Sequence, residues 1–432
     1  MRWPKSIGWL SVGFLFFSGC ASMTLDAGFD DIKAIVEQRS AGQISWNNDT
    51  ELDKEASEKL NSLLKRKLTA NDAVQIALLN NRDLQAIYSD LGVAQADLVQ
   101  AGLLGNPIFD AAVMFPVSGG GQPDLELGAA INFLNFFYIP LRKRVATARF
   151  EEVKSRLAGS VLDFAGRVRT AFYTYQSDQQ MLELRQTIVQ ALGASLEIAR
   201  RLSEAGNITD LDFARERAQL ETAKLALRSA EIALRQSREE LNMVMGLWGE
   251  QIQWQSDGRL PDIPEQPVPM KDVERRALEQ SLDLANVRQR IAATSEQLGL
   301  TRWTALLPEL SAGPQAERND GEWEIGPRLD FAIPLFDQGQ ARVGRGVAEL
   351  RRARQENYGA AVRIRATARA LRDRVDGARD RALYYRDILL PLHERIVNEA
   401  QLQYNAMQLG PFQLLRAREQ QIQTAVAYIE SL

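Results

Sequence analysis

One cysteine and one histidine are all that 432 residues supply of the two side chains that most readily ligate soft and borderline metals. With only Cys20 and His393 available, no disulfide within the chain, no His/Cys metal cluster and no histidine-based triad can be assembled. An excess of one charge is missing as well: 52 Lys+Arg stand against 56 Asp+Glu, so nothing draws the whole chain towards nucleic acid, and none is expected as a partner. Beyond Phe17 no apolar run is long enough for a membrane-spanning helix, so the mature chain could enter a bilayer only as strands. The glycines Gly119 to Gly121 lack the lysine and the strand-to-helix setting of a phosphate loop and read as a flexible external tip. Carboxylates are plentiful, but they lie among Arg and Gln on helix faces as solvated or paired surface. No catalytic residues, metal site or cofactor are expected, and the chain is read as not an enzyme.

The composition is 45% apolar and 25% charged, which excludes disordered and collagen-like classes. At the N-terminus, Arg2 and Lys5 precede an apolar run from Ile7 to Phe17, the pattern of a secretory leader too short to anchor by itself. The run ends in Phe17-Ser18-Gly19-Cys20, which resembles the bacterial lipobox; that resemblance implies cleavage after Gly19 and a lipid on Cys20, and Ala21 beside it implies release to the outer membrane.

Heptads organise the helical stretches. Phe213, Leu220, Leu227, Leu234 and Leu241 are spaced by seven, as are Val161, Val168, Tyr175, Leu182 and Val189. Ala368, Leu371, Val375, Ala378, Ala382, Tyr385, Leu389, Leu392 and Ile396 alternate threes and fours. Such helices pack side by side as coiled coils. One of them, starting after Pro140, meets no breaker until Ala205-Gly206-Asn207, which predicts a rod of roughly 60 residues and about 90 Å.

The chain also repeats itself. Leu78 to Ala86 answers Leu278 to Asn286, and Glu204 to Gln219 answers Asn405 to Gln420, with Arg215/Arg416 and Arg217/Arg418 in register. Between these anchors each half holds a proline-bounded insert, Pro107 to Pro140 and Pro308 to Pro334, each long enough for one β-hairpin. Within them Trp323, Ile325, Leu329, Phe331 and Ile333 alternate with Glu324, Arg328 and Asp330, and Leu125, Leu127, Ala129, Ile131 and Phe133 share one parity. One oily and one charged face, sustained over about 9–11 residues, is the pattern of an outer-membrane strand. Pro327 forfeits a ladder bond and predicts a bulge or irregular spot.

The order helix, hairpin, long helix, helix, given twice, resembles the TolC-like outer-membrane efflux factor family. The resemblance rests chiefly on Ile333 to Leu350, Leu68 to Ala86 and Ala199 to Glu221. It implies a mainly α fold with a transmembrane β-barrel part: a homotrimer whose strands close a twelve-stranded barrel and whose helices close a periplasmic tunnel, docked on a periplasmic adaptor and an inner-membrane pump. The expected division is a leader at 1–19, a tether and equatorial segment at 20–67, a first repeat at 68–255, a Pro-rich linker at 256–270 and a second repeat at 271–432. By the register of the repeat, the last helix stops at Leu432 well short of its counterpart, which runs to Gly246; the segment that usually returns to the equator is missing or truncated. The rival reading is a periplasmic coiled-coil adaptor or structural lipoprotein, which would carry one helical arm between β-modules rather than two arms and two amphipathic hairpins.

Docking and gating candidates fall at the helix-hairpin turns. Gly206 and Asn207 suit a left-handed helix end, Gly410-Pro411 breaks and restarts the other hairpin, and Ile208 and Leu409 are expected to be exposed at matched places. Positions that carry gate carboxylates in the family fall here on Gln413 and Arg416, whereas the acids sit at Asp210 and Asp212; these either cap the following helix or contribute to the gate. Arg142-Lys143-Arg144 and Arg342, Arg345, Arg351 and Arg352 follow the inserts, either as solvated helix surface or facing anionic headgroups.

Overall fold

In a computed structural model of the protein the breaker-free stretches become rods. The structure describes Thr24 and residues 26–40, 42–47, 51–115, 117, 122–267, 269–307, 309–319 and 322–432. Cys20, the leader, Pro308 and the centres of both hairpin tips lie outside the described residues.

In chain order the elements are α1 (Phe29–Arg39), α2 (Glu51–Leu64), β1 (Lys67–Leu68), α3 (Ala70–Asn80), α4 (Arg82–Gly102), β2 (Ile108–Met114), β3 (Asp124–Asn132), α5 (Leu134–Glu204), α6 (Asp210–Met245) and β4 (Gln255–Ser256). The second half supplies α7 (Val273–Gln280), α8 (Leu282–Leu306), β5 (Leu310–Asn319), β6 (Glu322–Phe331), α9 (Gln340–Tyr384), α10 (Leu390–Asn405) and α11 (Pro411–Ser431). The two halves match locally. Asn81 separates α3 from α4 and caps α4 by accepting from the Leu84 N–H at 3.0 Å. Ser281 does the same between α7 and α8, accepting from the Leu284 N–H at 3.1 Å.

Helix α5 corrects the sequence reading. It spans 71 residues, about 107 Å, and starts at Leu134, ahead of Pro140 rather than after it. Asn132 sets that start, its Oδ1 accepting from the Leu134 N–H at 3.0 Å. Pro140 lies near the helix start and forfeits a single ladder bond to Phe136, which the packing of the long rod outweighs. The matching rod, α9 into α10, is continuous but not regular: a π turn at Tyr385–Leu389 joins the two, with Leu390 N–H bonded to the Tyr385 carbonyl. Pro391, which has no N–H to donate, follows in the first turn of α10.

The first two heptad series lie on inward faces. Val161, Val168, Tyr175, Leu220 and Leu241 are buried, with Leu227 and Leu234 half-buried. The third behaves differently, because Leu371, Val375, Leu392 and Ile396 stay exposed on the protomer. A stripe of that composition needs cover from another surface.

The main core sits at the equator, midway along the rods, and is built from Ile32 and Val36 of α1, Leu60 and Leu63 of α2, Ile76 and Leu78 of α3, Leu84 and Tyr88 of α4, Phe172, Leu241, Met245 and Trp254. Two buried glutamines tie the N-terminal segment to it. Gln75 accepts from Gln43 N and donates to Gln43 O, and Gln85 accepts from Asn47 N and donates to Ser45 O, all at 2.9 Å. The segment leading into the linker is held similarly: Arg238 lies over the Trp254 ring at 4.2 Å and donates to the carbonyls of Ile252 and Trp254. Further along, Arg379 of α9 binds the carbonyls of Pro264 and Glu265.

The four hairpin strands form one antiparallel sheet in the order β2-β3-β5-β6. Pro327 causes no bulge: the register runs unbroken from Leu310↔Phe331 to Asn319↔Glu322, with Pro314 opposite Pro327. The reason is position, since β6 is an edge strand and tolerates a missing donor. The irregularity falls instead between β3 and β5, where pairing lapses at Ala129 and Ala130, opposite Pro314 and Gly313.

Candidate functional site

The register separates the sheet into two faces. One carries Phe109, Val113, Leu125, Leu127, Ile131, Trp323, Ile325, Leu329 and Phe331, several of them more than half exposed. The other carries Asp110, Glu126, Gln315, Glu317, Glu324, Arg328 and Asp330. Arg328 on β6 reaches Asp110 on β2 at 3.3 Å and Asp330 on its own strand at 2.9 Å. Strands are spaced by about 4.8 Å, so edge strands of a flat four-stranded sheet are about 14 Å apart, beyond the reach of that pair. The polar face is therefore concave and the oily face convex, as in the wall of a barrel with a wet lumen. With β2 and β6 as open edges, the four strands cannot close that barrel alone.

Three carboxylates occupy one row of the polar face. Glu126 is opposite Glu317, and Glu317 is opposite Glu324, so three adjacent strands present like charges side by side. Such pairing disfavours the isolated sheet; Gln315 relieves it in part by donating to Glu126 Oε1 at 2.6 Å. On the polar face Arg328 is the only cation among the described residues.

The far ends of the rods carry the sequence-predicted turn residues. Helix α5 ends in a Schellman turn, with Asn207 N–H on Leu202 O at 2.8 Å, Gly206 N–H on Ser203 O at 2.9 Å, and Gly206 at φ +73°. Thr209 caps α6, its Oγ1 accepting from Asp212 N at 3.2 Å. Asp210 is an exposed first-turn acid, whereas Asp212 turns into the cleft between the hairpins. The second turn is built differently from the first. Gly410, at φ −76°, is the N-cap of α11, and its N–H is bound by Gln413 Oε1 at 3.0 Å. The left-handed residue is Met407, at φ +55°, within the same Schellman pattern: Gln408 N–H on Gln403 O and Met407 N–H on Tyr404 O. Ile208 and Leu409 are half-buried rather than exposed. Ile208 lines the cleft together with Leu202, Tyr404 and Leu414, and the exposed apolar side chains near the tips include Met407, at 94%, Leu402 and Leu211. Met407 was legible in the sequence, for the offset that matches Glu204 to Asn405 also matches Gly206 to Met407.

Inside the cleft lies a group that helical patterning missed. Glu216 of α6 is buried; Ser195 of α5 donates to its Oε2 at 3.2 Å, while Arg418 of α11 faces it and donates to Gln401 of α10 at 2.8 Å. Burial pushes the Glu216 carboxyl above the ordinary carboxylate value, against the opposing pull of Ser195 and Arg418. An acid whose folded value is raised stabilises the fold most when protonated, so its contribution is full below the unfolded value and is lost as pH rises through the folded one. Hydrogen exchange at the amides of α6 and α11 around the cleft, corrected for intrinsic rate, should show more protection at pH 5 than at pH 8, and Glu216→Gln should flatten that difference. Equal pH dependence in the variant would assign it to another group. By contrast the exposed Glu197, gripped by Arg200 and Arg201 on its own helix, is held down at about 2 and stays ionised throughout.

Among the described residues no helix is long and apolar enough to cross a membrane, and no group of His, Cys, Asp and Glu is placed to hold a metal ion. The family described as outer membrane efflux protein matches residues 73–247. The chain is 22% identical over 379 residues to the cobalt-zinc-cadmium resistance protein CzcC of Cupriavidus metallidurans, covering 84% of this chain and 86% of that one. It is 25% identical over 240 residues to the toluene efflux pump outer membrane protein TtgI of Pseudomonas putida, spanning about half of each chain, 51% and 47%. The fold is similar to that of the CmeC outer membrane channel of Campylobacter jejuni, with a TM-score of 0.69 at 16% identity over 88% of this chain and 83% of that one. The open-state MtrE channel of Neisseria gonorrhoeae superposes with a TM-score of 0.63 at 14% identity, covering 84% and 85%.

Proposed function

We propose, from the premise that this chain belongs to the TolC-like outer membrane efflux proteins, that it is a passive exit duct which closes as a homotrimer and docks a periplasmic adaptor and an inner-membrane pump. The observation that carries the reading is the curved sheet, oily outside and charged inside, with two open edges and too few strands to close alone. Three copies supply twelve strands. The exposed stripe of Leu371, Val375, Leu392 and Ile396 supports the same assembly, since packing neighbouring protomers along the rods would cover it. A lipid on Cys20 would add a second hold on the outer membrane.

The carboxylate row suits cationic cargo. In a closed trimer it would recur three times around the lumen, and its field would concentrate cations and exclude anions. The name of CzcC points to metal ions, and we read divalent cations as the cargo class on these two grounds together. Conductance in planar bilayers tests both levels. Purified chain should open discrete cation-selective pores, and Glu317→Gln should lower the cation-to-anion permeability ratio without closing them. No pores at all would return the chain to the coiled-coil adaptor reading, and unchanged selectivity would remove the cargo argument alone.

Met407 points to the docking end. A side chain in the left-handed region costs roughly 1–2 kcal/mol, and glycine removes that cost. A large apolar residue kept there at 94% exposure is better suited to a partner than to the hairpin itself. Met407→Gly should therefore stabilise the second hairpin by about 1 kcal/mol and weaken crosslinking to the adaptor and export. A variant that crosslinks and exports as well as the parent would confine Met407 to the turn.

A further inference from the structure

We propose that the first turns of α5 and α9, where the rods leave the sheet, bind anionic phospholipid headgroups of the periplasmic leaflet; this rests on the barrel reading. The oily face of the sheet does not stop at the strands. Strand parity carries it from Ile131 to Phe133 and from Phe331 to Ile333, and on the adjoining helix and loop Phe136, Phe137, Leu335 and Phe336 remain exposed, the last at 93%. Aromatic side chains at the rim of a lipid-facing band mark the bilayer interface.

Cations follow on both helices. Lys143 and Arg144 lie one heptad after Phe136 and Phe137, two helical turns along the same exposed face and about 10 Å below them. On α9, Arg342 and Arg345 follow Phe336. The offset that matches Glu204 to Asn405 matches Arg144 to Arg345, so the two repeats place a guanidinium at the same level. Side chains on a helix lean towards its N-terminus, and both helices begin at the membrane. These cations therefore lean back towards the headgroups, and their long apolar stems let them reach that layer.

Their present ion-pair partners are exposed. Arg144 is 3.6 Å from Glu296, Arg342 is 3.6 Å from Asp337, and Arg345 meets Glu349 one turn on at 2.8 Å. Lys143 rests its stem against Gly102. Surface pairs of this kind contribute little and give way to a phosphate.

The test uses the full chain in detergent, with binding of phosphatidylglycerol and phosphatidylethanolamine read by native mass spectrometry. Insertion into vesicles of phosphatidylethanolamine and phosphatidylcholine alone is measured in parallel. Wild type should prefer phosphatidylglycerol. Lys143→Gln with Arg345→Gln should lower that affinity about fivefold per cation removed, with assembly and insertion unchanged. Arg228→Gln, on α6 far from the sheet, should behave as wild type. Wild-type affinity in the double variant, equal loss in Arg228→Gln, or no lipid preference in wild type would overturn the proposal. Failure of the wild type to insert into the neutral vesicles would overturn the barrel reading itself.

Discussion

A Gly313→Val chain should fail to form the four-stranded wall, whereas Gly326→Val, one strand away, should assemble normally. Both glycines lie on the polar face, and both sit within the hairpin of the second repeat. They differ in what a side chain would meet. At Gly326 nothing lies within 4 Å, while a Cβ at Gly313 would run into the carbonyl of Ala129 on β3. That contact is with backbone, so no rotamer change relieves it. The seam between β3 and β5 is also the only pairing that joins the two hairpins among the described strands, and Pro314 has already weakened it. Overpacking usually costs roughly 1–3 kcal/mol, and a clash with a ladder carbonyl belongs at or above the upper end. Assembly would be read as the fraction of chain recovered as oligomer from outer membranes. Equal recovery of the two variants would mean that β3 and β5 do not meet in this register.

The second large effect is expected at Leu329. Its side chain is 60% exposed on the oily face, between Ile325 and Phe331. A lysine there would set a charge into hydrocarbon at about 2–4 kcal/mol per chain if near the midplane, and a trimer would bear that penalty three times. Leu329→Lys should therefore lose most of its membrane-inserted oligomer. Asp330→Lys, the next residue, should not. It faces the lumen beside Arg328, which keeps Asp110 as a partner, so the chain should insert and lose cation selectivity. If the two variants exchange phenotypes, the oily face is not the lipid face.

Much of this was legible in the sequence because it depends on local period. Alternation by two in Trp323 to Ile333 assigned the faces of β6, and spacing by seven in α5 and α6 assigned their buried stripes. The match of Leu78 to Ala86 with Leu278 to Asn286 showed the repeat, but the helix breaks it contains, at Asn81 and Ser281 with their caps, emerged only in the structure. The offset of the repeat also aligns Met407 with Gly206, the two left-handed residues of the hairpin turns.

What the tertiary structure alone decided concerns pairs far apart in the chain. That Glu126, Glu317 and Glu324 share a row depends on how the two hairpins align, which no period within either hairpin specifies. Whether Pro327 bulged depended on its strand lying at an edge, and the lapse moved to Pro314 because that strand lies inside the sheet. Glu216 looked like one more surface carboxylate until α11 folded over it and brought Arg418 to face it. Local period fixes which way a side chain points from its own backbone. What it then meets is set by the packing of distant elements, where burial and charge pairing across the chain outweigh the preference of any one segment.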